Sequence, residues 1–277
     1  MIKPSSSQLQ ALSRFERLVF QVADWVNQVL KYPFIYWNAC FMYILIWFGL
    51  SRRLHVKGLD NIKDLQSSDS LIIASNHRTF FDFFVITWVN FDRTNLPRRI
   101  FFPVRSRFFY DNILGIFLNF IMGGFAMFPP LFREPNKKIF NKYAIDRLVY
   151  ELNQGNATIG FHPEGTRNKS TDPYSFLPPR SGVGDVIRSA ATAKTIPMFI
   201  IGMSNSYLTE VYRNLVAPSK YPIFVCYGKP LTFPETTLES QQISEKVMSS
   251  IVSLSEEHRQ SVQTKENQPS TGNYGKS

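Results

Sequence analysis

Twice in this chain a short apolar run stops dead at a dense polar cluster. Leu71 to Ala74 gives way to Asn76-His77-Arg78-Thr79-Phe80-Phe81-Asp82, and Ala157 to Phe161 to His162-Pro163-Glu164-Gly165-Thr166-Arg167. Runs this short, β-branched and bounded by turn formers read as buried strands. After the first cluster the apolar residues Phe83 to Val89 resume, as a helix or a continuing apolar segment. Polar residues at strand ends sit on loops that a rigid sheet holds in place, which is where α/β proteins carry their chemistry.

Further strands are predicted at Ile100 to Val104, Ile196 to Gly202 and Ile223 to Tyr227. Helical spacing marks 136–154, 182–193 and a last amphipathic stretch through Ile243, Val247, Ile251 and Leu254. The alternation predicts an α/β fold: a single catalytic domain with a mixed, mostly parallel sheet flanked by helices. Its expected limits are 58–254. Residues 255–277 are polar and are expected to form a disordered tail.

The first 57 residues read differently. Leu12, Phe15, Val19, Val22, Val26 and Val29 recur at helical spacing, as an ordinary packed helix or an interfacial one. Pro33 to Leu50 is nearly all apolar, with Asn38 its only strongly polar side chain. It falls just short of the ~20 residues that cross a bilayer. Embedding in a membrane, and burial as a helix of a soluble domain, are both open. Arg52, Arg53, His55 and Lys57 follow directly and suit anionic head groups on the cytoplasmic side. The apolar run begins too late for a secretory signal, and no small-residue cleavage site precedes Arg52. The expectation is N-terminal membrane-associating helices over 1–57.

Composition narrows the partners. A net charge of +10 attracts nucleic acid, anionic lipid or phosphorylated substrates. Nucleic acid is disfavoured, because no dense basic helix, zinc-finger spacing or aromatic RNA-binding strand exists. Phe contributes 25 residues, which fits either a Phe-rich core or surfaces that meet lipid and acyl chains. Cys40 and Cys226 form no paired motif.

His77 and Asp82 are five apart at a predicted strand-to-helix junction. A neutral imidazole takes a proton near neutral pH, and a carboxylate on its other nitrogen fixes tautomer and orientation. Glu164, Gly165, Thr166 and Arg167 offer close backbone approach, a hydroxyl and a guanidinium, which together suit a phosphate. Either cluster alone is as compatible with an ordinary structural turn. Other chemistries lack their parts. His162-Pro163-Glu164 has the H-x-E of a zinc deaminase without its cysteine pair. There is no H-E-x-x-H helix, G-x-S-x-G elbow or phosphate-binding P-loop.

Taken together the two clusters resemble the glycerolipid (lysophospholipid) acyltransferases. Asn76 to Asp82 matches their N-H-x-x-x-x-D motif and Pro163-Glu164-Gly165-Thr166-Arg167 their P-E-G-T-R motif, in the same order. The resemblance spans about 71–228. It implies that His77 is a general base oriented by Asp82. The acceptor's glycerol phosphate would sit at Glu164, Gly165, Thr166 and Arg167, with Arg180 as a second phosphate ligand. Ile196-Pro197-Met198-Phe199-Ile200 resembles the family's late apolar block. Two departures stand out. Gly123 to Phe128 is followed by Pro129-Pro130, so that Arg133 arrives late, and His162 replaces an apolar residue common in the family.

The implied reaction moves a fatty acyl group from acyl-CoA or acyl-carrier protein to a lysophospholipid hydroxyl. The implied acceptor is 1-acyl-glycerol-3-phosphate, giving phosphatidate; glycerol-3-phosphate or another lysolipid is the alternative. No cofactor and no metal are expected, since the thioester is already reactive. The expected partners are these two substrates and an anionic membrane surface, with the active site on its cytoplasmic side. The rival reading is a non-catalytic membrane protein that binds anionic lipid.

Overall fold

In a computed structural model of the chain, residues 2–190, 192–234 and 237–267 are described. Three helices come first: α1 (Ser6–Gln10), α2 (Arg14–Val29) and α3 (Lys31–Gly49). Then follow β1 (Leu54–Lys57), β2 (Ser70–Ser75), α4 (Asp82–Arg93), β3 (Ile100–Phe101), β4 (Val104–Arg105), α5 (Ser106–Phe109) and α6 (Ile113–Gly123). The second half holds β5 (Pro130–Leu131), α7 (Lys138–Asn153), β6 (Ala157–Phe161), α8 (Gly182–Ser189), β7 (Lys194–Ile201), α9 (Tyr207–Val216), β8 (Ile223–Tyr227) and α10 (Ser240–Asn267).

The main sheet runs β1-β8-β7-β2-β6-β3. Every neighbouring pair is parallel except the antiparallel β7–β8, as expected of a mixed, mostly parallel sheet. Leu71 to Ala74 are fully buried, because β2 lies mid-sheet with helices on both faces. Its side chains alternate between two cores. Ile72 and Ala74 join Phe140 and Leu148 of α7, Val186 of α8 and Val247 of α10. Leu71 and Ile73 join Phe84 and Trp88 of α4 and Met42 and Ile46 of α3. β2 and β6 pair in parallel with Ala74 opposite Phe161. The two polar clusters therefore leave the sheet side by side at one edge.

Several boundaries differ from the expected ones. The domain starts before residue 58, because β1 is the edge strand beside β8. Arg53 faces no head groups. It is fully buried in an ion pair with Glu210 at 2.7 Å and also donates to Tyr221 O and Gly202 O. The polar tail is helical through Asn267, since α10 runs on past Leu254 with Ser255 and His258 buried. Residues 268–277 lie outside the described residues. The strand expected at Ile100 to Val104 splits into β3 and β4, and β4 pairs with β5 in a separate two-stranded sheet. α9 had no counterpart in the sequence reading.

The N-terminal helices pack on the domain. Phe20 of α2 meets Phe128, Phe140 and Tyr143 ring to ring. α3 buries Ile35, Met42 and Ile46 and exposes Tyr36, Trp37, Tyr43 and Trp47. Its apolar composition thus serves two surfaces, only one of them internal. Among the described residues no single helix is long and apolar enough to cross a membrane; α2 and α3 meet at 97°.

Candidate active site

The turn after β2 is fixed from both ends. At its start the Asn76 amide donates to Ile200 O and accepts from Ile200 N–H, each at 2.8 Å, stitching the turn to β7. At its end Asp82 opens α4, where the helix N-terminus favours a carboxylate. Its Oδ2 accepts from Arg78 N–H (2.8 Å), Thr79 N–H (2.9 Å) and His77 Nδ1 (3.0 Å); its Oδ1 accepts from the Thr79 hydroxyl (2.6 Å). Burial alone would raise the Asp82 carboxyl. The hydrogen bond and charge of His77, with lesser help from His162 and Thr79, outweigh it and hold it below its ordinary value. A carboxylate that only accepts assigns the Nδ1 proton to His77 and leaves Nε2 as the basic nitrogen.

Glu164 does not face a substrate. It is 2 % exposed, with Oε2 accepting the backbone N–H of His77 (2.7 Å) and Oε1 that of Leu177 (2.8 Å). The family resemblance implies a ligand of the acceptor at this position. Both its oxygens are instead spent on clamping the loop after β6 to the loop that carries the base. Asn168 N–H adds a second tie, to His77 O at 2.7 Å. Burial is the main influence on Glu164 and raises its pKa, against the lowering pull of the two N–H groups.

The remaining predicted residues line a cleft of about 1100 Å³ beside His77. Gly165, Thr166, Arg167 and Arg180 all border it. Gly165 has φ +65°, and a Cβ there would lie 2.7 Å from the Arg180 side chain, so glycine is what lets Arg180 cross this turn. Three groups escaped the sequence reading as site residues. Arg133 donates to Gly165 O at 2.8 Å; burial, then the charges of Arg105 and Arg180, lower its pKa. Asn205, just before α9, accepts from both Phe80 N–H (3.0 Å) and Arg167 Nη1 (3.1 Å). Arg105, Arg107 and Lys138 add positive charge to the lining, against Asp185 as its one acid among the described residues. In the sequence only Arg98, Arg99, Arg105 and Arg107 around 100–104, and the late-placed Arg133, hint at this charge; nothing local marks Asn205. The lining is also strongly apolar, with Phe80, Phe83, Phe102, Phe108, Phe109 and Met127.

His162 also faces the cleft, its ring stacked on that of His77. The ligand atoms of His77, Asp82 and His162 lie within 4.8 Å of one another. They make a poor cation site. Both Asp82 oxygens already accept hydrogen bonds, and two parallel imidazoles aim their in-plane lone pairs alongside each other rather than at one point.

The sequence profile of the Acyltransferase family matches residues 53–203, more than half of the chain. A search of curated proteins gave no significant match. Among solved structures the chain is similar to the 1-acyl-sn-glycerophosphate (LPA) acyltransferase PlsC from Thermotoga maritima. The TM-score is 0.51 at 16% identity, covering 87% of this chain and 94% of that one, a likeness of fold. The matched region opens at Arg53, just ahead of β1, and ends two residues after β7, so it holds both polar clusters and the strands that bring them together. The chain belongs to the Acyltransferase family and is an acyltransferase.

Proposed function

We propose that this enzyme transfers a fatty acyl group from acyl-CoA or acyl-carrier protein to the free hydroxyl of 1-acyl-glycerol-3-phosphate, yielding phosphatidate. The observation that carries this reading is a His77–Asp82 pair on the edge of a cleft lined by both cationic and apolar side chains. A phosphorylated, acylated acceptor calls for both.

In the proposed reaction His77 Nε2 takes the proton of the acceptor hydroxyl as its oxygen attacks the thioester carbonyl carbon. Asp82 holds the ring and stabilises the imidazolium. The tetrahedral intermediate collapses, the C–S bond breaks, and the leaving thiolate takes the proton back from His77. Neither cysteine borders the cleft and the thioester is already reactive, so transfer runs directly through a ternary complex. Thr166, Arg167, Arg180 and Arg133 hold the acceptor phosphate, Gly165 giving its backbone close approach. Phe80, Phe102, Phe108 and Met127 take acyl chains. Similarity in fold to an enzyme named for lysophosphatidate supports this acceptor over glycerol-3-phosphate.

We also place the enzyme on a membrane surface, with its cleft on the cytoplasmic side where acyl thioesters are made. Exposed Trp and Tyr on α3, Ile113, Leu114 and Phe117 on α6, and Leu208 and Tyr212 on α9 support the membrane contact. α6 directly follows Phe108, Phe109 and Asn112 of the cleft, a short route for a lipid leaving the bilayer.

The test is thiol release from acyl-CoA, and separately from acyl-carrier protein, on vesicles with a panel of acceptors. Lysophosphatidate should give the highest kcat/KM. A higher value with glycerol-3-phosphate or a neutral lysolipid would reassign the acceptor. His77→Ala should abolish turnover; activity surviving it would sink the assigned base.

A further inference from the structure

His162 plays no part in the reaction just described, yet it is the nearest ring to the base. It is the first residue after β6, and the β2–β6 register delivers it to the side of His77. The two ring centroids are 3.9 Å apart and the planes differ by 1°. On the cleft side Phe102 leans on His162 at 5.0 Å. Phe102 in turn sits over Gly160, where a Cβ would come within 1.9 Å of its ring, so a glycine in mid-strand makes room for this stack. His162 Nδ1 lies 3.1 Å from both the carbonyl oxygen and the hydroxyl of Ser75. A carbonyl only accepts, so Nδ1 carries the proton.

We propose that His162 is a positioning residue for His77: a flat, neutral platform that fixes the plane of the base and stacks on the imidazolium formed in each turnover. The proposal rests on the reading of His77 as the base. Asp82 holds His77 at a single atom, Nδ1, which leaves the ring free to swing about that bond. A parallel ring at 3.9 Å removes the swing. It must also be uncharged, because a second cation at that distance would oppose the proton His77 has to accept. The titratable groups acting on His162 are His77, which opposes a charge there, and Asp82, which favours one. Burial, then the charge of His77, takes its pKa to about 3, so it is neutral throughout the working range.

The experiment compares H162A and H162F by steady-state kinetics on vesicles, with the His77 ring followed by NMR. H162A should lower kcat about tenfold or more with both KM values within about twofold. H162F keeps the flat ring and loses the Ser75 bond; it should recover kcat to within about threefold of wild type. The ring-current shift of the His77 Cε1 proton should vanish in H162A and persist in H162F. Wild-type kcat in H162A would overturn the proposal, and so would equal impairment of both variants alongside equal losses of thermal stability. The NMR signal reads the stack whatever the activity, and H77A reads the base separately, so failure of one is not failure of the other.

Discussion

Replacing Glu164 with Gln separates a clamp from a ligand. The carboxylate accepts two backbone N–H bonds, from His77 at 2.7 Å and Leu177 at 2.8 Å, at a site 2 % exposed. Gln offers one carbonyl oxygen and one NH2, so one N–H would face another donor. A buried N–H without an acceptor costs about 1–3 kcal/mol. The surviving bond loses its charge assistance, worth about 1 kcal/mol more. Against this, burial already penalises the ionised form, and Gln escapes that penalty. The net loss is about 1–3 kcal/mol, or a Tm lowered by roughly 2–5 °C for a chain of this size. The loop carrying His77 loosens, so kcat should fall about 10- to 100-fold with the acceptor KM within about threefold.

Linkage adds a second signature. The folded-state pKa of Glu164 lies above its ordinary 4.5, so the folded protein binds this proton more tightly than the unfolded chain. The stability margin of wild type over E164Q should therefore widen as pH falls from the raised value to 4.5, and stay flat below it. The assay is thermal unfolding from pH 4 to 8 beside steady-state kinetics. A wild-type Tm together with a selective rise in acceptor KM would refute the clamp and restore Glu164 as a ligand.

Asp82→Asn should lower kcat by about 10³–10⁴, because the amide no longer enforces the Nδ1–H tautomer, with melting and kinetics measured together. The Asp82 carboxyl is held below its ordinary 3.8, so its contribution to stability is complete above that pH and lost as pH falls through the depressed value. Acid unfolding of D82N should lack this component. Arg133→Ala should raise the KM for lysophosphatidate by about tenfold or more while leaving that for acyl-CoA within about threefold, since one charge-assisted bond is worth about 1.5–3 kcal/mol. Asn205→Ala frees Arg167 and Phe80 N–H, and should raise acceptor KM by a smaller, measurable factor of about 3–10. Glu in place of Tyr36 and Phe117, both largely exposed, should cut sedimentation with anionic vesicles while leaving the Tm nearly unmoved; unchanged binding would remove α3 and α6 from the membrane contact.

The sequence by itself determined what is local. Short β-branched runs bounded by turns gave β2, β6, β7 and β8 nearly residue for residue. His77 and Asp82 are five residues apart across one turn, so spacing allows their pairing, and the second cluster together with the family resemblance singles it out. What depended on distant chain was not. Arg133 reaches Gly165 because β4 and β5 pair apart from the main sheet, and Asn205 reaches Arg167 because α9 follows β7 at the same edge. Arg53 reads as a basic flank until Glu210 arrives to pair with it in the interior. Glu164 carries the lesson furthest. Its neighbours in sequence make it part of a phosphate motif, while the parallel register of β2 and β6 turns its carboxylate onto the backbone of His77. Periodicity and turn chemistry act over a few residues; which loops meet, and which side chain is consumed in joining them, is fixed only when strands far apart in sequence pair.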